Sequence, residues 1–234
     1  MNPSSPYVGK TAYHGDVAAN YERDRVNEPV WLQEQTWMES WAKSIPGGAR
    51  VLDVPTGTGR FVGIFLSRGA KVHAVDVSAD MLAELRRRYP PDGDRLVVEC
   101  GDAEALSYPD GMFDFVVCWR LFHLLPASIA ERVLREMARV CRGRIVVEVF
   151  GVETGSVRAA LLRRWRRLIG KIGRRDAVPA AQPWAHITNF VHRERELLPL
   201  FSRCGLRVAG AETLAHYRGA PARIYFLDKC GEKT

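Results

Sequence analysis

Apolar and polar positions along this chain follow two periods. Between positions 11 and 44 the spacing is helical, in two segments broken at Asn27-Glu28-Pro29. In the second segment Val30, Trp31, Glu34, Trp37, Met38 and Trp41 recur every three or four residues and make one face. Pro46-Gly47-Gly48 ends that segment. From position 50 onward, short apolar runs at 50–54, 71–76, 96–98, 113–119 and 144–150 read as buried strands. They alternate with helices at 60–67, after Ser78 (a residue suited to capping, with Met81, Leu82 and Leu85 on the inner face), and at 128–140. Strands and helices in alternation predict a doubly wound α/β domain, a mostly parallel sheet with helices on both faces. The rhythm breaks at 151–192 and resumes with a helix at 194–204 and strands at 206–208 and 222–227, which predicts seven strands in all.

This divides the chain into an N-terminal helical lid (1–48), a Rossmann-like core (49–150), a helical insert (151–192) and a C-terminal part that completes the sheet (193–234). Composition changes little in that picture: 234 residues with 47% hydrophobic and 26% charged positions are ordinary for one globular core. The N-terminus lacks a basic segment followed by an apolar one. The five cysteines (Cys100, Cys118, Cys141, Cys204, Cys230) are scattered, with no C-x-x-C pair. Both features predict a cytoplasmic protein with no disulfide framework and no zinc site. Charge changes the picture more. The net charge is +7, and eight basic residues with no acid fall between Arg158 and Arg175, leaving the rest of the chain close to neutral. Val157, Leu161, Trp165, Leu168 and Ile172 form an apolar stripe through the same stretch. A cationic amphipathic helix of this kind suits an anionic membrane surface, an anionic acceptor or RNA; it also suits a lid helix with solvated arginines.

The chemistry is concentrated where strands end. The first strand runs into Asp53-Val54-Pro55-Thr56-Gly57-Thr58-Gly59, a strand–glycine turn–helix unit that lets backbone N–H groups approach a nucleotide-like ligand. Asp76 ends the second strand, positioned for ribose hydroxyls, and Asp102 follows the third, within reach of a base amine. A nicotinamide dehydrogenase would place a third glycine where this chain has Val62.

Taken together, Val51-Leu52-Asp53 with Gly57-x-Gly59, Val75-Asp76-Val77-Ser78 with Met81-Leu82, Gly101-Asp102-Ala103-Glu104, Phe113-Asp114-Phe115-Val116 and the 134–140 helix resemble a class I S-adenosylmethionine-dependent methyltransferase. The resemblance is to the small-molecule branch that includes the quinone-biosynthesis enzymes. It implies S-adenosyl-L-methionine as cofactor, with Asp53, Gly57 and Gly59 along its methionine end, Asp76 on the ribose and Met81 near the adenine. It further implies Asp102 and Ala103 at the adenine edge, Trp119 in the pocket wall, and Tyr13, Tyr21 and Arg25 as lid residues. Pro55 departs from the family's usual glycine, so the first turn of the loop must be built differently. His123, just beyond the fourth strand, is placed to act as a base on the acceptor or to pack locally in its turn; His14, His186 and His192 are weaker candidates. The expected acceptor is a small or lipid-linked, anionic molecule. An RNA acceptor and a non-catalytic cofactor-binding scaffold are the alternatives. RNA is the less favoured partner, because Cys118-Trp119-Arg120-Leu121 stands where amino-directed base methyltransferases carry an Asn/Asp-Pro-Pro-aromatic motif.

Overall fold

A computed structural model describes residues 10–90, 92–150, 190, 192–217 and 220–231. Seven strands form one sheet: β1 (Arg50–Asp53), β2 (Lys71–Asp76), β3 (Leu96–Cys100), β4 (Phe113–Cys118), β5 (Cys141–Phe150), β6 (Leu206–Tyr217) and β7 (Ala220–Lys229). Their order is β3-β2-β1-β4-β5-β7-β6. The first five are parallel, and β7 runs antiparallel to both β5 and β6. The chain first builds outward from β1 through β2 to β3, then returns to place β4 on the other side of β1. A crevice opens at the carboxyl ends of β1 and β4 for that reason.

Helices cover both faces: α1 (Asp16–Asn20), α2 (Pro29–Trp41), α3 (Val62–Ser67), α4 (Ala79–Arg88), α5 (Ala127–Val140) and α6 (Glu194–Arg203). Successive strand residues point to opposite faces, so Leu52 and Val116 join the core under α5 and α6 while Val51 and Val117 join the one under α2, α3 and α4. In α5 the predicted inner residues Ile129, Val133, Leu134 and Met137 are all buried. Ser78 caps α4, its hydroxyl accepting from the Met81 N–H at 3.3 Å.

The structure departs from the sequence pattern at three places. Helix α3 starts at Val62 and not at Arg60, because Arg60 and Phe61 remain in the turn that leaves the glycine loop. Strand β5 begins at Cys141, directly after α5, three residues before the apolar run. Strand β6 is twelve residues long and pairs with β7 along its whole length, with register shifts near Gly210 and Leu214. As the last strand of the sheet it leaves residues 207–209 and 211–213 exposed, so no alternation of apolar and polar positions announced it. The arginine-rich insert, with its proposed amphipathic helix and His186, lies outside the described residues. Among the described residues no helix is long and apolar enough to cross a membrane.

Candidate functional site

The crevice at the β1–β4 switch point is a cleft whose floor is the loop after β1. Val54 N–H donates to the Val117 carbonyl at 3.0 Å and Thr56 N–H to the Val75 carbonyl at 2.8 Å, tying the loop to the strands on both sides. Pro55 lines the cleft between these two anchors, and the Val54–Pro55 bond is cis. Gly57 has a φ of 57°, and a Cβ added there would meet no atom within 4 Å; the backbone borders open space. That is the geometry a ligand needs to lie directly against a main chain. Gly59 has a different reason to be glycine. Its φ is 76° and a Cβ would come within 2.6 Å of Leu85 Cγ, so it serves the packing of the loop on α4 and is not part of the cleft wall.

Asp53 and Asp76 both line this cleft and both are buried. Asp53 accepts the Thr56 hydroxyl at 2.7 Å. Burial pushes its carboxyl up to about 7; the Thr56 bond opposes that rise and the neighbouring Asp76 adds to it. Asp76 accepts backbone N–H groups from Ser78 on one oxygen and Gly57 on the other, each at 2.8 Å. Burial still raises its pKa against those bonds. Met81 and Trp119 complete this end. Trp119 sits between Trp37 and Phe61, with ring centroids 5.4 and 5.5 Å away. Its buried indole N–H has no hydrogen-bond partner among the described residues.

The N-terminal region contributes part of the cleft lining. Tyr13 and Tyr21 line it and meet edge to face at 5.8 Å. Arg25 is buried behind them, its guanidinium 4.0 Å from the Tyr21 ring. Asp102 and Ala103 do not reach the cleft wall. Asp102 binds the Lys10 ammonium at 2.6 Å, Glu104 binds the same ammonium at 2.7 Å, and Ala103 is buried in the core.

His123 also stands apart from the cleft wall. It begins no regular helix but lies in a short 3₁₀ turn (Phe122–Leu124), its ring 5.3 Å from that of Phe150 and its carbonyl accepting the Phe190 N–H at 2.7 Å. Burial, followed by the charges of Arg120, Arg25 and His192, pushes its pKa down to about 3. The imidazole is therefore neutral at neutral pH and weakly basic. His192 is held by the Phe122 carbonyl at 2.7 Å, and His14 lies near the surface, 3.6 Å from Asp80.

One part of the site escaped the sequence pattern. Glu34, fully buried on α2, accepts from Arg60 Nη1 at 2.5 Å and from Arg120 Nε and Nη2 at 3.0 and 2.9 Å. The Arg60 guanidinium carbon lies over the Trp31 ring, 3.5 Å from its centroid, and the side chain also donates to the Trp31 carbonyl and to Gln35. Arg120 has a positive φ of 53°, and its main-chain N–H donates to Glu148 at 3.0 Å. Burial, with Glu34 close by, raises the Glu148 carboxyl well above its usual range. Trp31, Arg60 and Arg120 all line the cleft. The available signal was Glu34 itself, an acid standing in an apolar stripe; nothing local marked Arg120 or Glu148.

A methyltransferase domain family matches residues 51–143. A demethylmenaquinone methyltransferase from Renibacterium salmoninarum is 33% identical over 172 residues, covering 71% of this chain and 69% of its own length. The chain belongs to the class I S-adenosylmethionine-dependent methyltransferases. The family's cofactor is S-adenosyl-L-methionine, and Gly57's open backbone beside Asp53, Asp76 and Met81 fits such a ligand. A phosphatidylethanolamine N-methyltransferase from Cereibacter sphaeroides is 41% identical over 104 residues, 43% of this chain and 50% of that protein. The chain spans about half the length or less of the first curated relatives it matches: 50%, 30% and 55%. The fold agrees with a magnesium protoporphyrin IX methyltransferase from Synechocystis PCC 6803 with bound SAH, at a TM-score of 0.66 and 16% identity over 92% of this chain and 95% of that one.

Proposed function

We propose that this protein transfers a methyl group from S-adenosylmethionine to a small or lipid-linked, anionic acceptor. The observation that carries the reading is the meeting, in one cleft, of the open Gly57 backbone with two buried acids and Met81 at the switch point of the sheet. In this reading Asp76 accepts the ribose hydroxyls with lone pairs left over from its two backbone bonds. Asp53 faces the cationic methionine end, Met81 packs on the adenine, and Trp119 forms the wall beside the sulfur. Tyr13, Tyr21 and Arg25 cover the cleft and exclude water. Asp102 and Ala103 meet the adenine edge once Lys10 gives way. The relatives named for quinone, phospholipid and acyl-carrier substrates support small-molecule and lipid-linked acceptors alike.

The bound cofactor supplies an electrophilic methyl group on a sulfonium, and displacement in line needs an aligned nucleophile more than a strong base. His123 is the candidate base of this reading. A group titrating near 3 takes a proton poorly, so His123 suits only an acceptor that is already ionised or strongly acidic. The basic stretch between Arg158 and Arg175 is assigned to an anionic surface or the acceptor's anionic part. Titration calorimetry with S-adenosylmethionine and S-adenosylhomocysteine is the direct test. Micromolar binding of both is expected, and absence of binding at millimolar concentration would refute the reading.

A further inference from the structure

The guanidinium of Arg120 is half used. Its Nε and Nη2 both go to Glu34, while Nη1 has no partner among the described residues, and the side chain keeps 15% of its surface open where it lines the cleft. Arg60 differs: Nε, Nη1 and Nη2 are each taken, by Gln35, Glu34 and the Trp31 carbonyl. Two guanidinium cations thus share Glu34, and Glu148 touches Arg120 only through its main-chain N–H. An anion bound at the cleft would give the unused N–H groups of Arg120 a partner of their own, beside the carboxylate it shares with Arg60. The Arg120 fork is also held in place before any ligand arrives. Glu148 fixes its main chain, Glu34 fixes one edge of its plane, and the Trp31 ring lies 5.0 Å away. A planar, pre-oriented pair of N–H donors matches the two oxygens of a carboxylate.

We infer that Arg120 determines acceptor specificity by holding a carboxylate of the acceptor, and that this carboxylate is the group methylated. The inference rests on the reading of the cleft as a cofactor site. The step balances without a base: a carboxylate oxygen lone pair forms the new O–CH3 bond while the S–CH3 bond breaks with its electrons to sulfur. A carboxylate and a sulfonium become a neutral ester and a neutral thioether, and no proton moves. That agrees with the weak basicity of His123. It also gives product release a cause, since the ester lacks the charge that Arg120 held.

The test titrates succinate, benzoate and octanoate, each beside its methyl ester, into protein saturated with S-adenosylhomocysteine and, in parallel, into ligand-free protein. At least one acid should bind ten-fold or more tightly than its ester. Arg120→Gln should erase that preference, and Arg120→Lys should keep part of it. Melting curves identify a variant that does not fold, in which case the lysine variant carries the comparison. Equal binding of acids and esters, or an acid preference that survives Arg120→Gln, overturns the proposal. A ten-fold loss of S-adenosylhomocysteine affinity in a folded Arg120→Gln protein also overturns it, because the fork would then serve the cofactor's own carboxylate. Failure of S-adenosylhomocysteine to bind the unaltered protein counts against the cofactor reading, and the ligand-free titrations still decide for or against Arg120.

Discussion

The two ends of the cleft are built by opposite means. The acidic end is made of short-range parts: Asp53 and Asp76 terminate adjacent strands, and their oxygens are satisfied within the loop and turn that follow. The cationic end is assembled from three distant stretches. Glu34 reaches Arg120 across 86 positions and Arg60 across 26. Backbone geometry fixes the first end; mutual attraction of side chains fixes the second. The acidic end should therefore tolerate loss of a charge with its fold intact, whereas loss of the carboxylate shared by the two guanidinium groups should cost the cationic end much of its stability.

The largest expected effect tests that contrast directly. Glu34→Ala leaves two buried guanidinium groups without their shared carboxylate and should cost about 3–5 kcal/mol of stability, read from urea unfolding. A loss below about 1 kcal/mol would show that the cluster is screened by water and would erase the distinction. Asp76→Ala should instead unfold near the normal midpoint yet weaken S-adenosylhomocysteine binding by about 10- to 100-fold, the worth of hydrogen bonds to a charged group. An unchanged affinity would remove Asp76 from the ribose. Gly59→Ala comes next. It forces a residue into positive φ and against Leu85, so about 1–3 kcal/mol of destabilisation is expected in thermal melts.

The pH dependence sharpens the same comparison. Asp53 has a raised folded-state pKa, about 7 against an unfolded value near 3.9, so the native state binds the extra proton between those values. Its contribution to the ligand-free protein is most favourable below the unfolded value and is lost as pH rises toward 7. A cationic ligand reverses the preference. S-adenosylmethionine should bind more tightly as pH climbs from 6 to 8, and should release a proton, seen as a binding heat that differs between phosphate and Tris buffers. Asp53→Asn should abolish both. The smallest effect expected is at the surface: flotation with anionic vesicles should fall with added salt if the stretch from Arg158 to Arg175 meets a membrane.

Legibility in the sequence follows the same division. Asp53, Gly57, Asp76 and Ser78 were readable because each is defined by its own neighbours, a strand before and a turn after. Helix α5 was readable because one continuous face is buried. Glu34, Arg120 and Glu148 were not, since a buried ion cluster leaves no period and its partners are set by the tertiary fold. Strand β6 lacked a signal for another reason: an edge strand with exposed side chains needs only a paired backbone. The close approach of Gly59 to Leu85 was not readable, because only the packed helix reveals that contact.

The packing of Trp119 against Trp37 and Phe61 at the cleft wall has an optical consequence. Four of the six tryptophans, at positions 31, 37, 41 and 119, lie on α2 or at the end of β4, with Trp37 and Trp41 stacked at 5.9 Å and Trp31 and Trp119 in the cleft wall. Excited-state energy passes readily among indoles this close. A purine or thioether arriving beside Trp119 should dim the emission of the group, so the protein carries a built-in, label-free reporter of cleft occupancy that a Trp119→Phe exchange would mute.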